Sequence, residues 1–538
     1  MQIRRVRPLE IFEKYENAYK AFNADQISQA IQFTLAVETD LPLISDHILH
    51  LQIQSNLGGL MIDLGNHIRD KELILRGKNY IEELLDQDPK DRVMVGQSYN
   101  LANGYFSLWT LERSEDLKNG RIDETFLNAK KYYRRALDIA KESKEPIDPQ
   151  LLSQINTNFG NCLRSIGRFA EAFHYYDEAL KYNPNHGEAM AHKAITLRYL
   201  SKYAHGYSHK FLLESHRLLK ESLDTSMPND HLRAFQKEYD DLTSLIQKHG
   251  EIVPEKHKKI RAKNKFHQFS RDFCVKNQLF LTPATFIGRK NEVVYGDPMF
   301  ISTMIVPLKG DNTINRYITF LNQIKQDFVL ARYFLIQSQY QSTIVDCIDQ
   351  DVILYDPVDY SIHNSYAQLL KMSLKLTVDT FDKIAQFLRE YCNIHTDPLT
   401  ETNFRNIWKE NKGKELIRPE FIQRQNKFIL ALYDLSLDLQ KGGYFEGIYR
   451  NRNTITHRFL IVHEMRTPDD NSIVTSRINI NDLVDLTIKS LNLLKAAIMY
   501  LIMFIDIEER KKHDPNKIYA PISSIRISKK YQWKPYNY

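Results

Sequence analysis

Glycine and proline are both scarce in this 538-residue chain, at 19 and 18 residues. An all-β architecture needs a turn between successive strands, and turns draw on these two residues, so their scarcity counts against that class. Cysteine is scarcer still. Cys162, Cys274, Cys347 and Cys392 lie far apart and form no CxxC pair. A disulfide framework and a cysteine-rich zinc site are therefore not expected, and a reducing, cytoplasmic setting fits best. Long apolar runs are also missing. The N-terminus, MQIRRVRPLEIFEKYENAYK, has no apolar stretch after its basic residues and does not read as a signal peptide. The most apolar segment, Leu491 to Ile505, is shorter than the ~20 residues a bilayer requires and contains Lys495. It reads as a buried core helix, and no membrane partner is expected. The net charge of +6 permits an anionic partner without demanding one. Patterns of the GxxxxGK(S/T), GxSxG and HExxH types do not occur, which counts against kinase-like, hydrolase and metalloenzyme readings, so neither a metal nor a cofactor is expected.

What is there is helical. Apolar residues make up 43% and charged residues 26%, as in an ordinary globular protein, and the length suggests more than one core. Residues 153–186, SQINTNFGNCLRSIGRFAEAFHYYDEALKYNPNH, carry small or aromatic residues at Gly160, Ala172, Tyr176 and Ala179, a glycine at 167 and a closing Pro184. This spacing resembles the 34-residue tetratricopeptide repeat, a helix–turn–helix whose small residues allow close packing. A second copy covers roughly 58–91, with Gly65, Gly77, Ile81, Leu84 and Pro89 in matching places. A third, 97–144, has Gly104, Ala129, Tyr133 and Ala136 and is expected to carry an extra loop around Arg113–Glu124. Residues 1–250 therefore read as a tetratricopeptide-like solenoid, whose surface would hold a protein or peptide ligand.

A junction, 251–312, follows. It begins with EKHKKIRAKNK (255–265), containing Lys256, Lys258, Lys259, Arg261, Lys263 and Lys265, which could touch phosphates or form a solvated face. Then FCVKNQLFLTP (273–283) and NEVVYGDPMFISTMIVP (291–307) read as a small β-hairpin or clamp. From 313 to 515 four long amphipathic patterns recur, at 314–340, 365–392, 419–440 and 481–512. They form a bundle, with Pro419 opening the third helix and Asn481 capping the fourth. The tail, 516–538, has no clear period. The expected fold class is mostly all-α.

Between the third and fourth patterns lies GGYFEGIYRNRNTITHRFLIVHE, 442–464. An arginine and a histidine a few residues apart mean little by themselves. Arg168/His174, Arg198/His205, Arg261/His267, Arg389/His395 and Arg458/His463 show the same loose pairing. At 452–457, however, asparagine directly follows the arginine, a glycine break precedes it and an apolar run, read as helical, follows it. Here the sequence resembles the HEPN superfamily, whose signature is arginine, a polar residue, three more residues and histidine, set in a helical bundle. The front-half repeats and the KNQLFLTP and ARYFL segments resemble a HEPN branch fused to tetratricopeptide repeats.

The resemblance implies a metal-independent endoribonuclease. RNA carries its own nucleophile, the 2′-hydroxyl. His457 would take its proton as general base, Arg452 would clamp the phosphorane oxygens and Asn453 would orient the imidazole or the phosphate. The products implied are a 2′,3′-cyclic phosphate and a 5′-hydroxyl, and the role implied is a toxin or antiviral-defence effector restrained by the repeats. Arg450, Arg458, His463 and Arg332 are candidates for RNA contact, with Asp327 and Tyr333 on the first bundle helix also able to face the cleft. Residues five apart on an ideal helix are separated by about 140°. Arg452 and His457 should therefore straddle a helix start or kink, or be completed across a homodimer as in that superfamily. A non-catalytic HEPN scaffold and a peptide-binding regulator in which the repeats do everything are the alternative readings.

Overall fold

The structure is a computed structural model that describes residues 8–87, 91–119, 122–204, 208–248, 262–287, 296–301, 304, 313–395, 402–409, 417–465 and 473–512. The chain divides into two compact units, Met1–Ser201 with His209–Val253, and Lys202–Ser208 with Pro254–Tyr538. Nineteen α-helices and one two-stranded sheet occur among the described residues.

In the first unit, α1 (Pro8–Asn23) and α2 (Ile27–Asp40) lead into α3 (His47–Ile68), α4 (Lys71–Gln87), α5 (Asp91–Asn119), α6 (Glu124–Glu142), α7 (Pro149–Ser165) and α8 (Phe169–Tyr182). Then come α9 (Gly187–Leu200), α10 (Ser208–Leu223) and α11 (Asn229–Lys248). The three sequence repeats become three helix–turn–helix pairs, α3–α4, α5–α6 and α7–α8. Asp46, Asp123 and Asp148 cap the first helix of a pair or the second, accepting hydrogen bonds from the N–H groups of Leu49, Phe126 and Gln150. Close approach requires glycine where α3 crosses α4. A Cβ added at Gly77 would lie 2.5 Å from the Gly58 carbonyl oxygen, and one at Gly58 would lie 2.8 Å from that of Gly77. The extra residues of the third pair do not form a loop from Arg113. They prolong α5 to Asn119, because the segment lacks a glycine or proline to stop the helix until Gly120.

The second unit holds α12 (Lys265–Lys276), α13 (Thr313–Ser338), α14 (Thr343–Asp349), α15 (Ser365–Tyr391), α16 (Pro419–Ile422), α17 (Lys427–Leu439), α18 (Glu446–His457), strands β1 (Phe459–His463) and β2 (Thr475–Asn479), and α19 (Ile480–Lys511). α13, α15, α17 and α19 form the bundle core. Helix α19 is long and apolar enough to cross a bilayer, yet 89% of its most apolar window is buried within the chain. Residues Leu493 to Ile505 are all buried, including Lys495, whose Nζ donates to the Gln278 carbonyl at 2.5 Å.

Several expectations need correction. The third helix is broken after Ile422. Gln425 adopts φ +47°, and Asn426 caps α17 through Phe428 N–H while its amide donates to Phe504 O and Glu508. A side chain bound on both sides outweighs helix continuity. Helix α19 is capped by Asn479, not Asn481, whose N–H is the group that Asn479 accepts. The junction has no strand among its described residues. Residues 273–287 continue α12 and then form a 3-10 turn, Pro283–Ile287. Arg332 holds Asp297 through two bonds of 2.7 Å, and Lys325 donates to Met299 O at 2.6 Å. These ties leave a clamp on α13 instead of a ladder. Residues 291–295, 302–303 and 305–307 of the expected hairpin lie outside the described residues, as do Lys256, Lys258, Lys259, Arg261 and the tail. The strands are elsewhere: β1 and β2 pair in parallel, Phe459 opposite Thr475 and His463 opposite Asn479.

Gly77→Ala is expected to destabilise the first unit by about 1–3 kcal/mol, because the new methyl meets backbone that cannot rotate away. A drop in the urea midpoint of the first unfolding transition would register this, and an unchanged midpoint would refute the close approach.

Candidate active site

The site is built on the short helix α18, and the turn before it sets its direction. Gly442 has φ +79°, and a Cβ at Gly443 would lie 2.4 Å from the Leu437 carbonyl oxygen, so only glycine fits there. The chain reverses at the end of α17, Phe445 N–H bonds Asp438 O at 2.7 Å, and the Glu446 carboxylate accepts from Gly442 N–H at 2.9 Å. α18 then packs along α15, burying Ile448, Tyr449 and Thr454. It ends at His457. The following FLIVH is strand β1 rather than the helical run expected, its β-branched Ile461 and Val462 pairing with Arg477 and Ile478.

Arg452, Asn453 and His457 thus share one helix, with no kink and no helix start between them. Asn453 and His457, four residues apart, are both exposed and occupy one face. Arg452 is turned toward α15. Its Nε and a terminal nitrogen donate to Asp379 Oδ1 at 2.9 and 2.5 Å, and its other terminal nitrogen donates to Asn453 Oδ1 at 3.1 Å. The motif is therefore joined in series: carboxylate, guanidinium, amide, with the imidazole one turn further on.

Asn453 and His457 border a cavity of about 490 Å³, also lined by Arg405, Leu439, Lys441, Glu446, Tyr449, Arg450, Thr454 and Arg458. Behind its floor lies Asp382, whose carboxylate accepts from Phe404 N–H at 2.9 Å and, at 3.4 Å, from the Tyr449 hydroxyl. Burial pushes the Asp382 carboxyl above its ordinary range, and burial together with the Asp382 charge pushes the Tyr449 phenol well above its own. The arrangement can do three things. It presents an imidazole to solvent, aims an anchored amide beside it and offers clustered positive charge to an anion.

Arg450 and Arg458, expected to contact RNA, are exposed on this cavity. His463 and Arg332 are not. His463 is fully buried in β1, one ring nitrogen 2.7 Å from Arg477 and the other 3.1 Å from Asp359 O. Arg332 is 8% exposed and committed to Asp297 and Leu279 O. Both are structural ties, because a buried donor already bonded has nothing left for a ligand. Asp327 likewise pairs with Lys383, and Tyr333 packs its ring against Phe266. Arg405, Lys441, Tyr449, Asp379 and Asp382 were missed. The carboxylates at 379 and 382 could have been noticed as a polar pair, three apart, interrupting an apolar helix face. Arg405, in a turn remote in sequence, gave no signal.

Residues 308–508 match the family described as LA2681-like HEPN, a span that takes in α13 through most of α19 and all of α18. No curated protein matches the chain.

The Arg452–Asp379 pair is expected to show a coupling of about 1 kcal/mol in a double-mutant cycle of Arg452→Ala and Asp379→Ala followed by chemical denaturation. Additive single effects would mean that the pair does not hold α18 to α15.

Proposed function

We propose, from the premise that residues 308–508 form a HEPN domain, that the protein is a metal-independent endoribonuclease acting through the RNA 2′-hydroxyl. The observation that carries this reading is the exposed Asn453–His457 face at the mouth of a cation-lined cavity, with Arg452 bonded to Asn453. In the reaction, His457 accepts the proton of the 2′-hydroxyl as its oxygen attacks the adjacent phosphorus. The bond from phosphorus to the 5′-oxygen breaks, and that oxygen leaves with a proton supplied by a protonated imidazole or by water. The products are a 2′,3′-cyclic phosphate and a 5′-hydroxyl. Asn453, oriented by Arg452, steadies the imidazole or a phosphate oxygen. The surrounding cations neutralise charge that builds on the phosphorane.

A homodimer through this domain would supply the second imidazole. Exposed apolar side chains support such a contact: Phe459, Ile473 and Val474 lie beside the motif, and Ile353, Leu354, Tyr355 and Val358 lie in the segment whose Ser361 bridges to the far end of β1. The helical pairs of the first unit would bind a protein or peptide that restrains the nuclease. Such an activity suits a cytoplasmic toxin or antiviral-defence role, by analogy with the family.

One observation favours a second reading. Arg452 is bound to Asp379, turned from the cavity, as suits a non-catalytic HEPN scaffold. Incubating the full-length protein with total RNA in EDTA separates the two. Cleavage that leaves cyclic-phosphate ends and falls by at least about 100-fold in His457→Ala is the expected outcome, and equal cleavage by the variant removes His457 from the mechanism. Light scattering of the full chain should give a dimer that Phe459→Asp weakens, and a wild-type monomer would count against paired sites.

A further inference from the structure

The cavity contains a cation that stands outside the motif and is better placed than Arg452 to meet an anion. Arg405 comes from the turn 402–409 that follows α15 in the chain, and that turn is anchored at every side. Phe404 N–H bonds Asp382, Asn403 Oδ1 accepts the Arg405 N–H at 3.0 Å, Gln440 donates to the Arg405 carbonyl at 3.1 Å, and Trp408 is buried among Phe404, Phe421 and Tyr433. The guanidinium carbon rests 4.3 Å from the centre of the Tyr449 ring. A cation on an aromatic face is steadied without being neutralised.

Asp382 feels the charge at a distance, but no carboxylate bonds it directly. Arg405 Nε is buried with no hydrogen-bond partner, and no carboxylate forms an ion pair with the side chain among the described residues. Asp382, the carboxylate behind it, accepts instead from Phe404 N–H and the Tyr449 hydroxyl. A ligand cannot reach Nε, but it can meet the terminal guanidinium nitrogens, which form no hydrogen bond among the described residues. Arg452 differs in just this respect, since Asp379 and Asn453 take its donors. Lys441, Arg450 and Arg458 line the same cavity but are exposed.

We propose that Arg405 is the phosphate-binding guanidinium of this cavity, holding an RNA phosphodiester against the Asn453–His457 face, and that Arg452 is a positioning residue acting through Asn453. The proposal rests on the nuclease reading for its substrate. The planar fork of Arg405 matches two phosphate oxygens, and the Tyr449 ring fixes its plane.

The test uses the full-length protein with two single-stranded oligonucleotides, a cleavable RNA and its 2′-deoxy counterpart, against Arg405→Ala, Arg405→Gln and Arg405→Lys. Arg405→Gln keeps a polar side chain without the charge, so a folding defect in the alanine variant leaves the question answerable. The 2′-deoxy strand should bind Arg405→Gln about 30-fold more weakly than wild type. The dependence of log affinity on log salt should flatten by about 0.7, one phosphate contact on a single strand. Arg405→Lys should recover the salt slope but not the full affinity. Binding and slope unchanged in the glutamine variant would overturn the proposal. Arg405-dependent binding with no cleavage by any form would retain the phosphate site and defeat the nuclease reading. Cleavage that needs His457 but not Arg405 would do the reverse, and a wild type that binds neither strand would defeat both.

Discussion

Arg452 reaches from α18 to Asp379 on α15, and this ion pair governs how the rest of the site is arranged. α18 is only three turns long and could not hold an orientation by itself. It is fixed on one side by the glycine turn at 442–443 and on the other by the guanidinium. Because the pair is partly sheltered, removing either partner leaves the other charge poorly solvated, a larger effect than a surface pair would give. The same guanidinium bonds Asn453. The position of the exposed amide is therefore tied to a contact on a different face of the helix.

The helical content of the fold could be read from periodicity, and the paired helices around Gly77 and Gly167 from small residues at repeat spacing. What could not be read were decisions made by single side chains at long range. Asn426 ends one helix and starts another because Phe504 and Glu508, some eighty residues away, receive its amide. The segment FLIVH has a composition that suits a buried helix or a strand equally. It is a strand because Thr475–Asn479 lies beside it, a pairing across a connection that local pattern does not reveal. Arg332 likewise turned inward for Asp297, a residue in a loop whose composition had suggested a hairpin.

At the site, the motif residues were legible and their relationship was not. Helix geometry correctly separates Arg452 from His457 by more than a quarter turn. Of the two routes that this separation left open, a kink or helix start is not taken, and completion across a homodimer stays a proposal. His463 illustrates the opposite failure. It lies six residues past His457, in a similarly basic neighbourhood, yet β1 points it into the interior, where Arg477 and Asp359 take up its ring. Arg405 could not have been found from spacing, since only the anchored turn brings it beside Tyr449.

Charge across α18 is segregated more sharply than the whole-chain value of +6 suggests. Asp379 and Asp382 lie behind the helix, against Arg452 and the Tyr449 hydroxyl. In front, Arg405, Lys441, Arg450 and Arg458 gather around His457 with Glu446 as the one carboxylate on the cavity lining among the described residues, and Glu446 is already engaged by Gly442 N–H. Four cations sharing a cavity repel one another, and solvent relieves this only for those that are exposed. Arg405 is not fully so. A phosphate placed there would offset that repulsion, whereas a neutral ligand would not. The local field, rather than the net charge, is what favours a polyanion at this face.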